Sequence, residues 1–433
     1  KKKRLLENIF IKMKFNTIKI IGDIMLDEWS YVKNIGPSAE TKIDIFKSYK
    51  IYKSLGGCGN LCMNLKKLNI NFKLYTEVGQ DYAGKDVQEL LKKNKIRSFI
   101  KIKKKITSQK KRFFINEKQI FRQDTEDTKN TQKIGEFLLK EIKHNDIVLI
   151  SDYKKGIIYK KLHSEIVKKG CLTFVDPKNK PFFYKKAFLV KPNMSKFNEW
   201  CGKFTKKKAF SLLNKMKWTW LIITDSKKGV HIFNSKNEYR SYSVKTVKKT
   251  ANVIGAGDIF FAGLIHLYQK KHNIFDACLL ATKAATNCVE KQGIRYIENR
   301  DFKQNIIFTN GVFDILHSGH IKLLKFSKRL GKKLIVGLNS DTSTKILKGK
   351  NRPYNSITTR IKNLKKTSLV DKIYVFKEKT PLKLIKKIRP DIIVKGSDYD
   401  YKNVVGSKIS NVILFDKKNN LSTTKILNRI KRF

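Results

Sequence analysis

The sequence predicts two successive α/β units, the first with a small β lid, the second a doubly wound parallel sheet. Three observations carry that reading. The chain has 433 residues, and single hydrophobic cores stop growing at about 250–300. Short apolar runs alternate with amphipathic stretches from Thr17 to about Ile297, and the alternation starts afresh at Ile306. Glycine-rich turns stand where a helix is about to start, at Gly56-Gly57 and Gly255–Gly257, and where a strand ends, at Gly311.

In the first unit, residues 1–300, the segments Thr17–Gly22, Phe72–Val78, Ile147–Ser151, Leu172–Asp176, Phe188–Lys191 and Leu221–Thr224 read as strands, many followed by a helical pattern. Between Tyr31 and Lys53, and again from Phe99 to Phe121, apolar and polar residues alternate with no helix between them, which predicts hairpin-like strands forming a lid sheet. Lys110–Ile115 and Gln119–Arg122 are too polar for a sheet covered on both faces. A short polar connector near Glu298–Gln304 precedes the second unit, residues 305–433. There the order is strand Ile306–Phe308, helix Gly319–Leu330, strand Lys333–Leu338, helix Thr358–Leu369, strand Lys372–Phe376 and helix Pro381–Ile388. Strands Asp391–Val394 and Val412–Phe415 and helix Thr423–Ile430 complete it. No internal repeat is visible.

The net charge of +59 invites a nucleic-acid or anionic-membrane reading. The composition argues otherwise: 82 Lys stand against 13 Arg, spread along the whole chain. Arginine is the residue suited to planar phosphate recognition, so the excess reads as A/T-rich coding bias, as in a reduced bacterial genome, and no specific nucleic-acid partner is expected. The six cysteines show no Cys-x-x-Cys pair, which fits a reduced cytosol. The basic start Lys1–Arg4 is followed by an apolar stretch broken by Glu7, Lys12, Lys14 and Lys19, and no uncharged run reaches the roughly 18 residues of a membrane span. A cytoplasmic protein with no membrane partner is expected. The chain opens on Lys, so the start of the protein is expected upstream.

The most informative stretch runs from Ile306 to His320, where an apolar strand passes through Thr309-Asn310-Gly311-Val312-Phe313-Asp314 to His317-Ser318-Gly319-His320 at the mouth of a helix. A helix N-terminus offers unpaired N–H groups to an anion, and glycine lets the backbone approach it. A zinc site would need a further protein ligand beside the histidine pair, and Asp314 is the only close candidate. The unit resembles the signature of the cytidylyltransferase-like nucleotidyltransferases. That resemblance implies His317 and His320 as catalytic imidazoles that hold phosphate oxygens while a sugar or polyol phosphate attacks the α-phosphorus. It also implies Asn310, Gly311, Phe313, Asp341, Arg352, Lys395, Ser422, Thr423 and Thr424 as nucleotide contacts. No metal is expected on protein ligands alone; Mg²⁺ is expected to come with ATP.

The second strong signal is Gly255-Ala256-Gly257-Asp258 before the apolar helical stretch Ile259–Tyr268. Consecutive small residues let backbone N–H groups converge on an anion, and the helix dipole points the same way. Upstream stand Asp23 and Asp27 after the first strand, and Gly56-Gly57-Cys58-Gly59-Asn60 at the start of a helix. In this order the three segments resemble the ribokinase-like sugar kinases over residues 17–297. The resemblance implies a ribokinase-like fold, sugar contacts at Asp23, Asp27, Gly56, Gly57 and Asn60, an anion hole at Gly255, Ala256 and Gly257, and Asp258 as the base. Asn193, Met194, Ser195 and Lys196 are its implied ATP contacts.

Further segments, among them Ser151–Gly156, Asp176-Pro177-Lys178 and Val394–Tyr399, resemble the bifunctional enzymes of ADP-heptose synthesis. By that resemblance the first unit phosphorylates D-glycero-β-D-manno-heptose 7-phosphate at C1 with ATP. The second transfers AMP from ATP to the heptose 1-phosphate, giving ADP-heptose for the lipopolysaccharide core. ATP, Mg²⁺, heptose phosphates and a homodimer are the expected cofactors and partners. The departures concern the kinase half. Lys196 stands where that family places Glu, Asn252 and Ile254 depart from its usual lead-in to the glycine turn, and Lys283 replaces a helix Asn. They raise as the alternative a kinase-weakened protein acting mainly as a nucleotidyltransferase, on heptose phosphate or on another sugar or polyol phosphate, with a basic nucleic-acid-binding protein as the remote one.

Overall fold

Two contact-defined units, Lys1–Glu298 and Asn299–Phe433, divide the chain in the computed structural model. It describes residues 17–116, 118–126, 134–243, 255–289, 295–397, 399 and 401–415.

In the first unit a nine-stranded sheet has the order β13-β12-β11-β10-β9-β8-β1-β4-β5. Its strands are β1 (Ile18–Gly22), β4 (Phe72–Gly79), β5 (Ser98–Lys103), β8 (Ile147–Ser151), β9 (Leu172–Asp176), β10 (Leu189–Val190), β11 (Trp220–Asp225), β12 (Gly229–Asn234) and β13 (Tyr239–Tyr242). All pair in parallel except the edge made by β12 and β13. The central strands are covered on both faces, which is why they read as unbroken apolar runs: every residue of Ile147–Ser151 is buried. The helix Ala256–Gln269 is buried from Asp258 to Tyr268 and packs on the helix Ile274–Val289.

The lid is a separate four-stranded sheet, β3-β2-β6-β7, from β2 (Ile24–Pro37), β3 (Asp44–Gly57), β6 (Gln109–Ile115) and β7 (Lys118–Thr125). Its polar strands contain the two segments too hydrophilic for a two-sided core. One expectation needs correction: Phe99–Lys103 lies in β5, paired in parallel with β4 at the edge of the large sheet, and not in the lid. Its half-buried alternation fits an edge strand as well as a lid strand, so periodicity could not separate them. A second feature escaped the sequence pattern. The lid begins at Ile24, one residue beyond β1, so Asp27 stands on a lid strand.

The second unit is a five-stranded parallel sheet, β16-β15-β14-β17-β18, from β14 (Gln304–Gly311), β15 (Gly331–Asn339), β16 (Lys372–Phe376), β17 (Ile392–Gly396) and β18 (Asn411–Phe415). The chain runs outward from β14 to β16 and then returns beside β14, so the order reverses between β14 and β17. In open α/β sheets that reversal opens a crevice at the carboxyl ends of the strands. A helix at Asp341–Lys348 joins the expected ones; the expected helix Thr423–Ile430 lies outside the described residues. Among the described residues no helix is long and apolar enough to cross a membrane.

Candidate active sites

In the first unit, four chain segments converge on Asp258. It lies in the first turn of the helix Ala256–Gln269, whose N-cap Gly255 has φ 81°. That φ favours glycine, and a Cβ there would come within 2.6 Å of Asn60 Nδ2. Asn60 Nδ2 donates to Asp258 Oδ2 at 2.7 Å, and Tyr153 Oη donates to Oδ1 at a long 3.4 Å. The Asp258 carboxyl is pushed up to about 7, chiefly by burial and then by the charge of Asp176; Asn60, Lys191 and Tyr153 pull it back. Lys191 is 3% exposed and pairs with Asp176 at 2.9 Å. Its Nζ lies 3.7 Å from where a Cβ on Gly257 would be, so a buried cation sits beneath the glycine turn.

The two upstream aspartates differ. Asp23 is 1% exposed, and its carboxylate accepts the backbone N–H groups of Tyr153 (2.8 Å), Lys155 (3.2 Å) and Ile157 (3.4 Å). Burial and then the charge of Asp152 push it up to about 6, against those three hydrogen bonds. Asp27 receives Arg112 Nη1 on Oδ1 at 2.9 Å, while Oδ2 lies 2.4 Å from where a Cβ on Gly56 would be. Glycine at 56 is therefore what admits the carboxylate. Gly57, with φ 59°, is the N-cap of the helix Cys58–Lys67 that carries Asn60.

Asn193 caps the helix Met194–Cys201 by accepting the Lys196 N–H at 2.7 Å. Met194 and Ser195 are in its first turn. The Lys196 ammonium pairs with Glu199 Oε2 at 2.6 Å, and that contact holds the exposed Glu199 carboxyl below its usual range. Lys283 lies in the helix Ile274–Val289. Asn252 and Ile254 lie outside the described residues.

In the second unit the crevice between β14 and β17 is lined by the strand-end loop. Thr309 and Asp314 are buried, Asn310 and Gly311 half-buried, and Phe313 takes φ 46°. His317 is the N-cap of the helix Ser318–Leu330, its Nδ1 accepting the Gly319 N–H at 3.1 Å. An accepting Nδ1 puts the proton of the neutral ring on Nε2, so that nitrogen is a donor. The His317 and His320 rings are 3.9 Å apart by centroids. Lys395 at the tip of β17 donates to the Asn310 carbonyl at 3.0 Å. Asp314 accepts Arg352 Nη1 and the N–H groups of Tyr354 and Asn355, each at 2.9 Å. Arg352 thus faces the strand end from the following loop. Asp341 holds Arg360, a fully buried arginine that also donates to the carbonyls of Val312 and Asn339, each at 2.8 Å. Ser422, Thr423 and Thr424 lie outside the described residues.

Sequence reasoning assigned no role to Tyr153, Asp176, Lys191, Arg112 or Arg360. Tyr153 and Asp176 stand in segments that carry the family resemblance, and Lys191 closes the apolar strand Phe188–Lys191; the contacts themselves join residues far apart in the chain. Among the described residues no group of three His, Cys, Asp or Glu side chains is gathered to hold a metal.

Residues 16–300 match the pfkB family carbohydrate kinases, and residues 308–429 match the cytidylyltransferase-like family. The chain is 36% identical to the bifunctional protein HldE of Campylobacter jejuni, over 98% of this chain and 99% of that protein. It is 31% identical to HldE of Haemophilus influenzae, over 96% and 97%. Among solved structures, phosphofructokinase-2 of Escherichia coli in complex with substrates and products aligns with a TM-score of 0.56 and 17% identity, over 66% of this chain and 97% of that chain. Ribokinase of Thermotoga maritima aligns with a TM-score of 0.52 and 19% identity, over 64% and 94%. These structures share the ribokinase-like fold of the first unit.

Proposed function

The chain belongs to the family of bifunctional HldE proteins, with a pfkB carbohydrate kinase half and a cytidylyltransferase-like half, and from that premise we propose how each half works. The protein is a heptose phosphate kinase and adenylyltransferase; the kinase-weakened and nucleic-acid-binding alternatives are not favoured. In our reading the kinase half phosphorylates D-glycero-β-D-manno-heptose 7-phosphate at C1, and the second half joins AMP from ATP to the resulting 1-phosphate.

The observation that carries the kinase mechanism is the Asp258 carboxylate, buried beside the Gly255–Gly257 turn with a pKa pushed up to about 7. It accepts the proton of the attacking hydroxyl, a role suited to a base poised near the working pH. The turn's N–H groups and the helix dipole hold the transferred phosphoryl, with Lys191 beneath them. Asp27, Gly56, Gly57 and Asn60 face the sugar, and Asn60 also orients the base. We assign Asp23 to the loop 153–157, whose N–H groups occupy its carboxylate, so that it positions Tyr153.

In the transferase half, Nε2–H of His317 and the His320 ring serve the phosphate oxygens, with Asn310, Gly311, Phe313 and Lys395 around the strand ends. Asp341, Arg352 and Ser422–Thr424 complete the nucleotide contacts. Mg²⁺ would come with ATP, the exposed Glu199 carboxylate on the helix that Asn193 opens being the acid there that would help hold it, and it would neutralise the charge of the phosphates. The test is incubation of the protein with ATP, Mg²⁺ and each heptose phosphate, with product masses as readout.

Lys196 already has a carboxylate partner, so Lys196→Glu alone would set two acids side by side. That variant is expected to lower kinase activity, whereas the swap Lys196→Glu with Glu199→Lys keeps the pair and is expected to recover it. Initial rates at saturating and limiting ATP check this.

The lid face opposite Asp27 exposes Phe46, Ile51 and Phe121 at 42%, 51% and 57%, an apolar area that a soluble chain covers. We read it as the contact of a homodimer. A mass of two chains by light scattering, reduced to one by Phe121→Asp, is the expected result. A cytoplasmic location completes the proposal.

A further inference from the structure

The short hydrogen bond on Asp258 comes from Asn60, whose Nδ2 donates to Oδ2 at 2.7 Å. A side-chain amide has a donor end and an acceptor end of nearly the same size, so its surroundings decide which end faces the base. One turn further along the helix Cys58–Lys67 stands Asn64, fully buried. Its Oδ1 accepts the backbone N–H of Ile297 at 2.9 Å. Its Nδ2 donates to the Asn60 carbonyl at 2.8 Å and, at a longer 3.4 Å, to Asn60 Oδ1.

A backbone N–H only donates, so Ile297 fixes the Asn64 amide with Oδ1 toward itself and Nδ2 toward Asn60. That donor in turn favours Asn60 Oδ1 on its side, which leaves Asn60 Nδ2 for Asp258. The polarity set at Ile297, buried and 233 residues on, thus runs through two amides to the carboxylate. With its amide turned over, Asn60 would offer Oδ1 to Asp258 and accept from the protonated acid, favouring the form that cannot act as a base. Burial and then the charge of Asp176 raise the Asp258 pKa, and the Asn60 donor, Lys191 and Tyr153 oppose them. The thiols Cys58 and Cys62, on the same helix as Asn60, also face Asp258, and burial keeps both protonated.

We propose that Asn64 is a positioning residue for the kinase step: it holds the Asn60 amide in the orientation that gives Asp258 a donor. This rests on the kinase reading of the first unit. Asn64 itself touches neither the base nor the sugar in this role; it acts through Asn60.

The test uses the full-length protein and three variants: Asn64→Leu, nearly the same size but without donor or acceptor, Asn60→Ala, and the two together. One readout is the pH profile of kcat with heptose 7-phosphate and ATP. The other is the titration of the Asp258 carboxyl, followed by ¹³C NMR of aspartate-labelled protein and identified by its absence from Asp258→Asn. Asn64→Leu is expected to move the kinetic limb and the carboxyl titration upward together by about one pH unit, so that kcat below the limb falls roughly tenfold while the plateau above it is kept. KM for ATP stays at its wild-type value. In the Asn60→Ala background Asn64→Leu moves neither any further, because its effect runs through Asn60. A titration that stays put or moves down in Asn64→Leu would overturn the proposal, as would a full further displacement in the double variant. A loss of rate uniform across pH would do the same, since that is what general loosening of the helix predicts. Should the wild type transfer no phosphoryl group to heptose 7-phosphate, the kinase reading falls, and the carboxyl titration alone decides whether Asn64 positions the donor to Asp258. If Asn64→Leu melts early, Asn64→Ser replaces it: its hydroxyl bonds the Asn60 carbonyl one turn back but cannot also span to Asn60 Oδ1 and Ile297, and the same displacement is expected.

Discussion

Asp258→Asn is expected to cut phosphorylation of the heptose phosphate roughly 10²- to 10⁴-fold, the usual worth of a positioned general base, with nucleotidyl transfer at its wild-type rate. Asparagine keeps the size of the side chain and its place in the helix's first turn but cannot take the hydroxyl proton. Separate assays of ADP formation with the sugar phosphate and of ADP-heptose formation from the 1-phosphate give the two rates. A kinase rate equal to wild type would remove Asp258 from the base role. The same carboxyl sets a pH dependence. Its pKa is raised to about 7, and only the deprotonated form accepts a proton, so kcat rises as pH passes upward through that value. Asn60 donates to the charged form and lowers the pKa, so Asn60→Ala moves this limb to higher pH; a limb that stays put or moves down would contradict the assignment.

His317→Ala and His320→Ala are each expected to slow adenylyl transfer about 10²- to 10³-fold, or about 2.7–4 kcal/mol in the transition state, as for loss of one preorganised donor to developing charge. The kinase step is unaffected in both. His317 carries an additional structural duty as the helix cap, through Nδ1 and the Gly319 N–H. His317→Asn keeps a capping acceptor while removing the Nε2 donor; it is expected to restore the melting temperature of His317→Ala without restoring transfer. A metal role predicts something else: stoichiometric zinc in the purified protein and loss of transfer on its removal. Elemental analysis decides between the two.

Much of both sites was legible in short stretches of chain. The strand, turn and histidine pair at 306–320 and the glycine turn before Asp258 are local features, in which the chemistry of a turn and the polarity of a helix end act over a few residues. Departures were legible too, such as Lys196. Their consequence was not, because the pairing of Lys196 with Glu199 depends on the helix turn that brings the two together.

By itself the sequence determined the order of the two units, their α/β class, the strands buried on both faces and the residues standing at the mouths of the helices, because periodicity and turn chemistry are short-range. Only the tertiary structure decided what those residues touch. It brought Asn60 and Tyr153 onto Asp258 and placed Asp27 on the lid. It turned the Asp23 carboxylate toward the backbone of the loop at 153–157. It also moved Phe99–Lys103 from the expected lid to the edge of the large sheet. Each of these rests on strand register and packing between residues far apart in the chain, and register depends on which strands meet, which no local pattern encodes.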